Sequence, residues 1–146
     1  MIEKVNPCHP DKIADRIAGA IVDLCYKKQE NPKVAVEVLI GHGNIYIINE
    51  TSCHLADAEI YAITEGLCPD DMVVYKEYKQ DINLAQNQNN GFKCGDNGIF
   101  KGVPLTEEER TLSKIAREIY DLSKTDGKYI LDGEKLIILW LIMAKV

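Results

Sequence analysis

Apolar and polar positions alternate along this chain in two different rhythms, and the change from one to the other marks out its elements. From Pro10 to Lys28, Ile13, Ile17, Ala20, Ile21 and Leu24 recur at helical spacing, while Asp15, Arg16, Asp23, Lys27 and Lys28 fall on the opposite side. Pro10 suits the first helical position, Asp11 puts a carboxylate in the first turn, and Asn31-Pro32 stops the element after two lysines. Lys33 to Ile40 is valine-rich and alternates, GHGN at 41–44 offers turn residues, and Ile45 to Ile48 is again β-prone, so a hairpin is predicted. Ala56 to Glu65 reads as a short second helix, Met72 to Leu84 as extended structure, and Ala85 to Gly91 as a polar loop. Thr106 with Glu109 forms a capping box ahead of Leu112, Ile115, Ala116, Ile119 and Tyr120 at helical spacing. Lys128 to Leu131, a turn at Asp132-Gly133, and Lys135 to Met143 predict a terminal β-hairpin. The fold class expected is α+β, with β-hairpins or a mixed sheet packed against amphipathic helices. No internal repeat and no Pro- or Ser-rich linker interrupts residues 1–146, so a single folding unit is expected.

Composition narrows the function classes. The chain has 146 residues, 46% hydrophobic and 27% charged, in the range of ordinary folded domains. Its formal charge of −6 argues against binding along a nucleic-acid backbone, which needs a basic face. A triphosphate ligand would need local cations or a bound metal. Cys8, Cys25, Cys53, Cys68 and Cys94 make no CxxC pair and no secreted disulfide framework, which favours a reducing, cytoplasmic setting. Met1 to Lys12 lacks the apolar core of a secretion signal, and the apolar run Leu136 to Ala144 is about half a membrane span, so no membrane association is expected. The two Cys-His dipeptides, Cys8-His9 and Cys53-His54, lack the spacing of paired zinc ligands.

His9-Pro10-Asp11-Lys12 sets an imidazole, a carboxylate and an ammonium at a helix N-terminus, where free N–H groups and the helix dipole favour anions. Asp11 has the hard oxygen that magnesium prefers, and His9 can donate to charge developing on a phosphate. The competing reading is structural, with His9 capping the helix and Asp11 complementing its dipole. Glu37 lies between valines, where either solvent or a cation must satisfy it. Glu50 ends a strand, Gly95-Asp96-Asn97-Gly98 suits a tight turn, and Lys135 suits a solvated strand end.

CHPDKIADRIAGAIVDLC at 8–25 resembles the signature segment and long helix that open methionine adenosyltransferases (S-adenosylmethionine synthetases). AVEVLIGHGN, INETS, KQDI and CGDNGIFKG follow in the same order as weaker echoes, and DGEK at 132–135 is similar to the family's later nucleotide-binding Asp-Ala-Lys segment, with one extra residue. The resemblance implies a partial S-adenosylmethionine synthetase fold in which His9, Asp132 and Lys135 contact ATP. Asp11 would bind Mg2+, Glu37 would bind K+, Glu50 and Gln80 would contact L-methionine, and Asp96 would join His9 in the catalytic site. It also implies a homodimer with active sites between subunits. The implied reaction is attack of the methionine sulfur on C5′ of ATP, with tripolyphosphate then cleaved to phosphate and diphosphate. Two departures touch the methionine site: Ile48-Asn49 stands where the family has a glycine pair, and Gln80-Asp81-Ile82-Asn83 replaces its Ser-Pro loop. Complete enzymes of this type are more than twice as long, with three similar domains, and their later phosphate-gripping cations are not in these residues. The expectation is therefore an incomplete or weakly active enzyme, with a non-catalytic oligomerisation or regulatory module, or a truncated gene fragment, as the alternatives.

Overall fold

The computed structural model describes residues 1–83, 86 and 104–140. Six strands and three helices are seen among them: β1 (Ile2–Val5), α1 (Pro10–Lys28), β2 (Val34–Gly41), β3 (Asn44–Thr51), α2 (Asp57–Glu65), β4 (Met72–Lys79), α3 (Glu107–Leu122), β5 (Gly127–Asp132) and β6 (Lys135–Trp140). The class is α+β, as the hydrophobic pattern predicts. No helix among the described residues is long and apolar enough to cross a membrane. Contacts divide the chain into two compact units, Met1–Ile13 with Lys101–Val146, and Ala14–Phe100.

The first unit is a three-stranded antiparallel sheet in the order β1-β5-β6, with α3 on one face. Alternation along β5 sends Tyr129 and Leu131 toward Leu112 and Ala116 of α3, and Ile2, Ile119 and Ile138 close the cluster. The capping box forms as predicted: Glu109 N–H donates to Thr106 Oγ1 at 3.1 Å, and Glu109 Oε2 accepts from the Thr106 and Leu105 N–H groups. The predicted terminal hairpin is β5-β6, closed where Gly133 takes φ +59°, with Asp132 opposite Lys135. Strand β1 has no sequence signal of its own, being four residues long and defined by its pairing with β5 across the chain.

The second unit is a mixed sheet in the order β2-β3-β4. Strands β2 and β3 form the expected hairpin, and both turn residues, His42 (φ +52°) and Gly43 (φ +73°), are left-handed, as a two-residue turn between twisted strands requires. Strand β3 then leads through α2 to β4, which runs parallel to it. Ile45, Ile47, Asn49 and Thr51 are buried on one face of β3, with Ile17, Ile21 and Cys25 of α1 and Ile60 and Thr64 of α2 also buried. Cys25 Sγ lies 3.9 Å from Thr51 Oγ1, which places α1 over this face.

Two boundaries differ from expectation. Extended structure after Met72 ends at Lys79, because Asp81 Oδ1 accepts the Asn83 N–H at 2.7 Å and turns Ile82-Asn83 into a helical conformation. Strand β3 runs to Thr51 rather than Ile48, since the parallel partner β4 supplies ladder bonds up to Lys79. The predicted loop at 85–91 lies outside the described residues apart from Gln86.

Candidate functional site

The segment between β1 and α1 is held by a buried asparagine. Asn6 N–H donates to Gly127 O at 3.1 Å, its Nδ2 donates to Thr125 O and to Tyr129 Oη, and its Oδ1 accepts the Cys8 N–H at 3.0 Å. Gly127 leaves the room this needs, since a Cβ there would sit 3.1 Å from both Asn6 Nδ2 and Tyr129 Oη. Cys8 Sγ lies 3.5 Å from Lys124 O and 3.7 Å from Tyr120 Oη. The turn before α1 is thereby tied to the loop that enters β5.

His9 stands at the N-cap of α1. Its carbonyl accepts from the Lys12 and Ile13 N–H groups, and its Nδ1 accepts the Asp11 N–H at 3.2 Å. The capping role that competed with a ligand role for His9 is therefore present. It also assigns the tautomer: with Nδ1 an acceptor, the neutral ring carries its proton on Nε2. The His9 side chain is 14% exposed and that of Asp11 is 85% exposed, with Asp11 Oδ2 3.8 Å from the ring.

Asp126 shares this field. Burial pushes its carboxyl up from the ordinary aspartate value, His9 and the Gly127 N–H pull it down, and Asp11 pushes it up again. Its Oδ1 is shielded from solvent and has no hydrogen-bond partner among the described residues. A carboxylate oxygen without a partner, within electrostatic reach of an imidazole and a second carboxylate, is suited to accept from a ligand's hydroxyl or amine. Sequence reasoning passed over Asp126, although Asp126-Gly127-Lys128 is an Asp-small-Lys triplet without the extra residue of DGEK. The Lys128 ammonium reaches Glu3 Oε1 at 3.4 Å. Asp132 and Lys135 are both exposed at the far end of the same hairpin, where Asp132 meets the chain's amino terminus at 4.0 Å.

In the second unit, Glu50 and Gln80 come to the same end of the sheet. Glu50 Oε1 accepts the Asp81 N–H at 2.6 Å, next to Gln80. Glu37 is exposed on β2, opposite Ile48, and Glu50 is opposite Ala35, so the two carboxylates are diagonal neighbours on one sheet face. Asp96 lies outside the described residues. On the other face, Glu77 accepts from Tyr75 Oη at 2.8 Å and the Leu55 N–H at 2.9 Å, and its Oε1 is 2.7 Å from His54 Nδ1.

No group of three or more His, Cys, Asp or Glu suited to a metal is found among the described residues. Asp11 nevertheless fits magnesium, which keeps most of its water and takes one or two carboxylates together with substrate phosphates. Glu37 and Glu50 offer two carboxylates to a monovalent cation and leave most of its shell to other donors.

The profile described as S-adenosylmethionine synthetase, N-terminal domain, matches residues 1–94. The S-adenosylmethionine synthase of Acholeplasma laidlawii is 42% identical over 142 residues, covering 84% of this chain and 37% of that protein. S-adenosylmethionine synthase 1 of Rhodopseudomonas palustris is 31% identical over 121 residues, covering 72% and 31%. A solved structure of an unusual S-adenosylmethionine synthetase from Campylobacter jejuni is 28% identical with a TM-score of 0.45, covering 56% of this chain and 27% of that one. The chain spans about a third of the length of the curated relatives it matches. Signature helix, ordered motifs and family profile agree, and the chain belongs to the S-adenosylmethionine synthetase family, matching its N-terminal domain.

Proposed function

We propose that this chain carries a nucleotide half-site of a methionine adenosyltransferase, binding Mg-ATP through the start of α1 and the entry to β5. The observation that carries the reading is the bond from the Asp11 N–H to His9 Nδ1, which commits the ring's other nitrogen to donation. His9 Nε2–H then donates to a phosphate oxygen and gains strength as that oxygen takes on charge in the departure of tripolyphosphate. Asp11 is the magnesium ligand, and the bound ion would offset phosphate charge that the acidic chain otherwise repels. Asp126 accepts from a hydroxyl or amine of the nucleoside, a role the DGEK alignment assigned to Asp132 with Lys135.

Glu50 and Gln80 are the methionine contacts in this reading, supported by their convergence at one end of the β2-β3-β4 sheet. Glu37 is the monovalent-cation carboxylate, and Asp96 completes the catalytic set. The protein works as a homo-oligomer in the cytoplasm and serves S-adenosylmethionine synthesis. These 146 residues alone turn over little, because each missing preorganised donor costs about 3 to 4 kcal/mol of transition-state stabilisation.

Isothermal titration of ATP with magnesium tests this, together with an assay for S-adenosylmethionine. Saturable binding that weakens about tenfold or more in Asp11→Asn, His9→Ala and Asp126→Asn is expected, with Asp132→Asn unchanged. A folded chain that shows no saturation in magnesium would rule the half-site out. Loss in Asp132→Asn but not in Asp126→Asn would return the nucleoside contact to the hairpin turn.

A further inference from the structure

One buried residue, Asn6 (1% exposed), holds the candidate site from both of its segments. Toward α1, its Oδ1 accepts the Cys8 N–H at 3.0 Å and its backbone carbonyl accepts the His9 N–H at 3.0 Å. Toward β5, its Nδ2 donates to Thr125 O and its backbone N–H donates to Gly127 O at 3.1 Å. The groups so bonded belong to His9, to the residue before it, and to the two residues that flank Asp126. These partners also settle which way the amide faces, because a swapped amide would set its NH2 group against the Cys8 N–H and its oxygen against Thr125 O. An aspartate in this place would keep the acceptor and lose the donor, and an alanine would lose both.

We propose that Asn6 is a positioning residue for nucleotide binding: its amide sets the start of α1 against the entry to β5, so that His9 and Asp126 meet one ligand as a fixed pair. The inference rests on the half-site reading and names what aligns its two halves. Apart from the bond to Tyr129 Oη, every hydrogen bond described for Asn6 falls on backbone, so it acts through the chain that carries His9 and Asp126. Two groups held in register bind a ligand without ordering themselves first, and a displacement of about 1 Å between them forfeits much of that advantage. Burial keeps water from competing for the tether, since each of its polar atoms is already matched. Tyr129 Oη, 3.2 Å from Asn6 Nδ2, belongs to the core beneath and not to the link between the two segments. Removing that hydroxyl leaves the bonds to Thr125 and Cys8 in place, which separates loss of stability from loss of alignment.

Titration of ATP with magnesium into the full chain tests this through a double-mutant cycle, at a temperature where urea curves show each variant folded. Asn6→Asp should weaken binding about tenfold. In that background a further His9→Ala or Asp126→Asn should cost less than about threefold, against about tenfold for either change made in the original chain. Asn6→Ala, which buries no charge, should give the same pattern. Tyr129→Phe should lower the urea midpoint while keeping both the affinity and the tenfold sensitivity to His9→Ala, a result that a purely stabilising role for Asn6 does not produce. Asn6 variants that bind as the original chain does, or that bind weakly yet stay fully sensitive to His9→Ala and Asp126→Asn, would overturn the proposal and leave the half-site standing. Equal losses in Tyr129→Phe and the Asn6 variants would overturn it too. No saturable binding by the original chain would remove the half-site itself, and this inference with it.

Discussion

Asn6 is buried and uses its backbone N–H, its side-chain amide and its side-chain carbonyl within one small volume. Asn6→Ala strips partners from Thr125 O, Tyr129 Oη and the Cys8 N–H together, and should cost about 1 to 3 kcal/mol in urea unfolding. Nothing in the sequence singles it out, because its partners other than Cys8, namely Thr125, Gly127 and Tyr129, lie about 120 positions away. Cys25 is a second residue legible only in three dimensions, standing one position past the predicted apolar stripe and fully buried. Burial pushes its thiol up from 9.0 to about 11, with Cys53 adding to the rise and Thr51 opposing it. A thiol held protonated in the fold but free to ionise when unfolded stabilises fully below pH 9, and that stability is lost as pH rises toward 11. Stability measured from pH 8 to 11 should fall, and Cys25→Ala should flatten the fall. Glu77 behaves oppositely. Burial pushes its carboxyl up, but His54, the Leu55 N–H and Tyr75 together outweigh it and hold the value below 4.5. Its contribution is present above about pH 4.5 and lost as pH falls through the folded value, so Glu77→Gln should weaken the acid limb of a stability–pH curve.

Helices announced themselves better than strands did, because a cap is a local device. Thr106 and Glu109 satisfy each other within four residues, and Thr106→Ala should cost about 1 kcal/mol, read as a lower urea midpoint. Helix α2 is less well started: Ala56 stands at its N-cap with extended backbone and no side-chain acceptor, leaving Glu59 to accept the Ala56 N–H. Ala56→Ser should stabilise by roughly 0.5 to 1 kcal/mol on the same measurement. The hairpins at His42-Gly43 and Gly133 were also readable, since their left-handed turns need particular residues. Strand β1 and the parallel β3-β4 pairing were not, because each depends on a partner rather than on its own pattern. The candidate site divides the same way. In the proposed reading, His9 and Asp11 come from a contiguous motif, whereas the preference for Asp126 over Asp132 rests on the electrostatic influence of His9 and Asp11 on Asp126.

At the scale of the molecule, the single folding unit expected from the sequence becomes a measurable proposition. Trp140 is the chain's one tryptophan and lies in β6, so its fluorescence reports the unit built on β1-β5-β6, while far-UV circular dichroism reports both units. Coincident thermal transitions by the two probes would mean that both units unfold as one, and separated transitions would mean that each melts alone. The pairing of β1 with β5 has another consequence, which concerns time. Ile2 pairs with Leu131, which is made 129 residues later. At about 5 to 20 residues per second, β1 waits on the order of ten seconds as an unpaired strand while the whole of Ala14–Phe100 is synthesised and free to fold. The segment Ala14–Phe100 is thus made before β1 can find β5, and the pairing around Asn6, with the candidate nucleotide site it shapes, waits on residues synthesised after it.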